Sequence, residues 1–189
     1  MKEQEIDIIK EISIRGRFAY CLSCFEIIIH NLDLRIPELK ILLEKFWEIT
    51  NSEKIGWWQN LLIENNPKVI IEDFELFQKG KITFDEIGFT TITNKNEFIS
   101  RVAFLNKLPN PVQELLDKLT EIANRNLFAG SGEFSMSTLE PTVEFIEIID
   151  SNFDFERPKF EIVKFSKFSE NNGWGNRFLK SKLSNNSKP

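Results

Sequence analysis

Apolar side chains recur at three- and four-residue spacing along most of the chain, which is the signature of amphipathic helices. Residues 5 to about 31 read as one long helix. Pro37 opens ELKILLEKFWEIT, with Leu39, Leu42, Leu43, Phe46 and Ile49 on one face. Ser52 is placed to cap a short helix carrying Trp57, Trp58, Leu61 and Leu62. Asn66-Pro67 gives a cap and a first-turn proline for KVIIEDFELFQK, which stops at Gly80. After EFISRVAFLNK, Asn110-Pro111 with Gln113 resembles a capping box. The helix it starts carries Val112, Leu115, Leu116, Leu119, Ile122 and Ala123 on one stripe and ends near Gly130.

Three stretches depart from the helical period. KITFDEIGFTTIT is rich in Thr, Ile and Phe and allows a short strand or hairpin over 82–93, or an ordered loop. FAGSGEFSMS reads as a loop, and a further helix runs from about Thr138 through TVEFIEIID. FEIVKFSKF alternates like a strand, a short helix being the alternative, and SKLSNNSKP reads as a frayed end. The expected fold is all-α: helix pairs or a multi-helix bundle around a central N-terminal helix, in one domain over residues 1–189.

Length supports that reading, since 189 residues bury a core without disulfides or metals. The 18 phenylalanines make that core rich in rings. Two cysteines do not form a disulfide framework. The acidic start MKEQEIDIIKE lacks the pattern of a secretory signal, and no apolar run spans a bilayer. A reducing, cytoplasmic location without a membrane anchor is expected.

Charge is divided along the chain. Residues 1–156 carry 16 Lys and Arg against 27 Asp and Glu, a net −11, and residues 157–189 carry 8 against 2, a net +6. An acidic body argues against nucleic acid and favours a basic protein partner through long-range steering. Alternatively, the basic segment lies back on the acidic body. Acids on helix faces away from the apolar stripes, Glu72, Asp73, Glu114, Asp117 and Glu121, are the candidate partner contacts.

The stretch RGRFAYCLSCFE, residues 15–26, holds both cysteines as C-x-x-C. Mid-helix, Cys21 and Cys24 lack the N-terminal dipole that activates redox thiols. Zinc needs four ligands where the chain offers two Cys and one His as soft donors, so packing is the expected role and no metal or cofactor is implied. One narrow stripe of this helix is small or polar: Arg15, Ala19, Ser23, Glu26 and His30. Glu26 and His30, four apart, have the spacing for a general base or a metal pair. The structural alternative is an internal polar network, with Arg15 and Arg17 paired to acids of other helices. Near the other end, two glycines flank Trp174, which either plugs the tail onto the core or anchors a partner. The sequence has no G-x-S-x-G, H-E-x-x-H or Walker motif.

The R-G-R-x-A-x-x-L-x-C-x-E pattern from Arg15 to Glu26, LLEKFWEITNS, and the turn Gly173-Trp174-Gly175 together resemble small bacterial proteins of polymorphic-toxin systems, the immunity proteins. The resemblance implies a cytoplasmic, non-enzymatic protein that binds and neutralises a toxin domain, and it carries over no catalytic residues. Two other functional classes stay open: a structural or regulatory helical module without a toxin partner, and a metal-binding or hydrolytic protein using Glu26 and His30.

Overall fold

A computed structural model describes residues 3–125 and 132–186. The fold is all-α: among the described residues there are ten α-helices, short 3-10 turns, no strand and one isolated β-bridge. The buried apolar residues form one cluster, and none of these helices is long and apolar enough to cross a membrane.

The long N-terminal helix expected from the periodicity is two helices, α1 (Glu3–Glu11) and α2 (Ile14–Asn31). Ser13 makes the break. Its backbone is extended (ψ 163°), and its hydroxyl accepts from the Gly16 N–H, capping α2. The break is held from far along the chain. Ser13 N–H donates to Ser166 O at 2.9 Å, Phe168 N–H donates to Glu11 O at 2.8 Å, and Ile12 bridges Lys167. Periodicity reports none of these contacts, because the apolar spacing runs through the junction unbroken.

Helix α2 is central as expected, packing against α3 (Pro37–Asn51), α8 (Asn110–Asn124) and α9 (Met136–Asn152). It is apolar nearly all round, and Phe18, Tyr20, Cys21, Leu22, Cys24, Phe25 and Ile28 are all buried. Both cysteines are free thiols. Burial and the neighbouring Cys24 push Cys21 up, and burial pushes Cys24 up to about 12, so neither is poised as a thiolate.

Between α3 and α8 the chain runs through a 3-10 turn (Ile55–Trp58), α4 (Gln59–Ile63), α5 (Pro67–Gln78), α6 (Phe84–Ile87) and α7 (Lys95–Leu105). Asn66 caps α5 as its sequence announces. Ser52 instead ends α3. Gln113 donates to Leu108 O and does not close a capping box. The helix containing it stops at Asn124; Gly130 lies outside the described residues.

No strand forms at 82–93. Thr83 and Glu86 build a capping box for α6, and Phe84 and Phe89 pack on the fully buried Phe98 with Phe74 and Phe77. The threonines that suggested a strand hold a carboxylate instead. Buried Glu64 accepts from the N–H and hydroxyl groups of Thr90 and Thr91 and from Ile92 N–H. Burial pushes this carboxyl up, but the hydrogen bonds from Thr91 and Thr90 outweigh it, and its pKa lies below the ordinary value.

The basic C-terminal segment lies back on the acidic body. Arg157 reaches Asp150 (2.7 Å) and Glu5 (3.2 Å), Arg177 reaches Glu53 (2.6 Å), and Lys180 reaches Glu26 (2.5 Å). FEIVKFSKF forms a 3-10 turn at Phe160–Ile162 and the bridge at Lys167. Ser181–Asn186, expected to fray, is α10, with Leu183 buried; residues 187–189 lie outside the described residues.

Candidate protein-binding surface

The residues that look unusual in sequence divide into a buried junction and an open face. The junction accounts for Arg15 and Arg17. Both are buried at the start of α2, and among the described residues neither pairs with the acid expected for it. Arg15 donates to the carbonyls of Ile49 (2.7 Å), Thr50 (3.2 Å) and Ser52 (2.8 Å), the open C-terminal end of α3. Arg17 donates to Ile9 O and Lys10 O at the end of α1, and to Ser135 O and Thr138 Oγ1 at the start of α9. A cation at a helix C-terminus satisfies orphan carbonyls and opposes the negative end of the helix dipole, so no carboxylate is required. Burial lowers both guanidinium pKa values to about 10, Arg177 adding to the shift at Arg15, and both stay charged at neutral pH.

The Gly-Trp-Gly turn closes on the same junction. Ser13 Oγ lies 2.6 Å from Ser166 Oγ, and a Cβ on Gly175 (φ +74°) would sit 2.3 Å from Ser13 Oγ. Gly16 is also required, since a Cβ there would meet Ile12 Cγ2 at 2.5 Å. Trp174 is half-buried, and its carbonyl faces the Arg15 N–H at 3.4 Å. Arg15-Gly16-Arg17 and Gly173-Trp174-Gly175 are therefore two sides of one structural joint.

The polar stripe is not one network. Ser23 donates to Ala19 O within its own helix. Glu26 Oε1 accepts from the Trp47 indole (2.9 Å) and from Lys180, while His30 is exposed at the rim of a cavity of about 720 Å³ between α2 and α3. Glu26 and His30 share no hydrogen bond, and among the described residues no group of three or more His, Cys, Asp and Glu is placed to hold a metal.

Of the candidate acids, Glu72, Glu114 and Asp117 line one groove between α5 and α8, with Lys68 among them. Glu72 and Glu114 are exposed. Asp73 is half-buried, its pKa pushed up by burial and then by Glu72. Asp117 is raised by burial and then by Glu121, with one carboxylate oxygen unpartnered. Glu121 is engaged by Lys118 (3.3 Å) and Arg125 (2.9 Å).

The open face is one that periodicity misses. The short helix expected to carry Trp57, Trp58, Leu61 and Leu62 begins as a 3-10 turn, which changes the angular step. Leu61 and Leu62 are buried, Trp58 is half-buried, and Trp57 is 76% exposed. Lys54 Nζ stands 4.1 Å from the centre of the Trp57 ring. Beside it a cleft of about 410 Å³ runs between Trp58, Leu179 and the α3 face carrying Glu44, Trp47 and Glu48. Leu179 is 61% exposed, and Glu44 and Glu48, four apart on α3, have no ion-pair partner among the described residues. Exposed tryptophan and leucine beside unpaired carboxylates are what the protein's own core does not use.

No protein-family model, curated protein or solved structure matches this chain.

Proposed function

We propose that the protein is a non-enzymatic binding module whose partner is a basic protein, in the manner of an immunity-type inhibitor that neutralises a toxin domain. The observation that carries this reading is Trp57, 76% exposed beside Trp58, which in turn borders the cleft of Leu179, Glu44 and Glu48. Tryptophan is enriched among the few residues that dominate binding energy, and free carboxylates near it favour a partner of positive charge and speed encounter. An inhibitor of this kind needs complementarity and no catalytic group. The chain's net −5, which remains after the basic segment has folded back on the acidic body, extends the attraction beyond contact.

The test uses the full chain as bait in lysate of its source cells, as wild type, Trp57→Ala and Glu44→Lys/Glu48→Lys. The protein retained by wild type is then purified and its binding measured directly. A basic partner, lost at least about tenfold by either variant, supports the reading. Association should also slow by roughly 10-fold or more from low salt to physiological salt, where the Debye length is about 8 Å. An acidic partner, a flat salt dependence, or full binding by both variants contradicts it.

A further inference from the structure

We infer that the corner formed by Glu26 and Trp47 is a cation-binding subsite of this face, held closed by the chain's own Lys180 and opened when an arginine or lysine of the partner takes its place. This rests on reading the face as the partner surface. The subsite is built from groups whose positions are fixed. Trp47 is only 7% exposed, and its indole N–H donates to Glu26 Oε1 at 2.9 Å, which sets the orientation of the carboxylate. Lys180 Nζ binds that same oxygen at 2.5 Å while lying 4.8 Å from the centre of the Trp47 ring. An aromatic face with a fixed carboxylate beside it is a cation receptor.

The present occupant is replaceable. Lys180 keeps 53% of its side chain in water and Glu26 keeps 30%, and ion pairs this open are weak. The lysine can swing away at the side chain alone, leaving Phe178 and Thr50 joined by their hydrogen bonds. Its position is also a partition. Lys180 and Glu44 border both the cavity of about 720 Å³ beside α2 and the cleft of about 410 Å³ beneath Trp58 and Leu179. Removing Lys180 from its seat joins the two and leaves Glu26 and Glu44 facing one space. A guanidinium suits that space better than an ammonium, because it stacks flat on an indole and forks two hydrogen bonds to a carboxylate.

The experiment titrates acetyl-triarginine-amide into wild type, Lys180→Met, Lys182→Met and Lys180→Met/Glu26→Gln. Binding is followed by the indole N–H resonances of the four tryptophans. Lys182, two residues on and over the Phe165 ring, controls for the loss of one positive charge. Removing an internal competitor restores the affinity of the free site, so Lys180→Met should bind on the order of three- to tenfold more tightly than wild type. Its Trp47 resonance should move most. Lys182→Met should change affinity by about twofold or less, and adding Glu26→Gln should remove the gain, with melting curves confirming that each variant is folded. Equal tightening by the two lysine variants, a stationary Trp47 resonance, or a gain that survives Glu26→Gln overturns the subsite. Those results bear on the subsite separately from the partner face, which stands or falls on whether a partner is lost with Trp57.

Discussion

The junction at Ser13 and the face around Trp57 are both rich in residues that stand out in the sequence, yet they differ in one physical respect. At the junction, the arginines, hydroxyls and glycines are used by the chain itself. Arg15 and Arg17 close the ends of α3 and α1, Ser13 meets Ser166, and Gly175 fits where no side chain can. At the Trp57 face, a large ring, an exposed leucine and two carboxylates have no equivalent use. Unusual chemistry alone therefore does not mark a functional site in this protein. Chemistry left unsatisfied by the fold is the ground on which the partner surface is proposed.

Substitutions separate the two regions by the size of their effect on stability. The largest belongs to Arg17→Ala, which removes four hydrogen bonds and the buried cation that ties the end of α1 to the start of α9. Chemical denaturation should report a loss of about 4 kcal/mol or more, and Arg17→Lys should recover only part of it, since an ammonium cannot reach the same acceptors as the fork. Next comes Gly175→Ala, which combines a left-handed backbone with a collision, at roughly 3 kcal/mol. Gly80→Ala is its control: φ is also positive (+65°) but the surroundings are open, and about 1 kcal/mol is expected. Comparable losses at the two glycines would mean that the joint tolerates the extra carbon.

Glu64→Gln should cost about 2 kcal/mol at neutral pH, because an amide cannot accept all five hydrogen bonds. The pH dependence has a definite sign. The folded-state pKa lies below the unfolded value of about 4.3, so the carboxylate's stabilisation is complete above that value and is lost as pH falls through the folded-state pKa. Thermal melts of wild type and Glu64→Gln should converge on acidification. A smaller effect, roughly 1 kcal/mol, is expected for Cys24→Ala, and native-state labelling by a thiol reagent should proceed only as fast as the protein opens.

The same contrast explains what was legible in the sequence. Helices with local start signals were readable: Pro37 for α3 and Asn66-Pro67 for α5, together with the apolar stripe of α8. So was the placement of α2 at the centre, because it is apolar on nearly every side. The break at Ser13 was not, since the atoms that hold it lie 153 residues away at Ser166. The partners of Arg15 and Arg17 were hidden for a related reason. Main-chain carbonyls at helix ends leave no trace in residue identity, whereas the acids expected in their place do. Threonines at 90 and 91 suggested a strand because β-propensity was weighed without Glu64, whose carboxylate organises them into a loop. The exposure of Trp57 does not follow from its place on the expected short helix with Trp58, Leu61 and Leu62, because Ile55–Trp58 is a 3-10 turn. Gly56, ahead of the paired tryptophans, is the local sign of irregularity there.

The most direct test pairs melting temperature with affinity for the purified partner in two variants, Trp57→Ala and Trp174→Ala. Trp57→Ala is expected to melt like wild type, within about 0.5 kcal/mol, and to lose at least about tenfold in affinity. Trp174→Ala, half-buried in the joint, is expected to lose roughly 1–3 kcal/mol of stability and to bind the partner as wild type does. The reverse pattern, with Trp57 stabilising and Trp174 binding, would contradict the division between a structural junction and a partner-binding face.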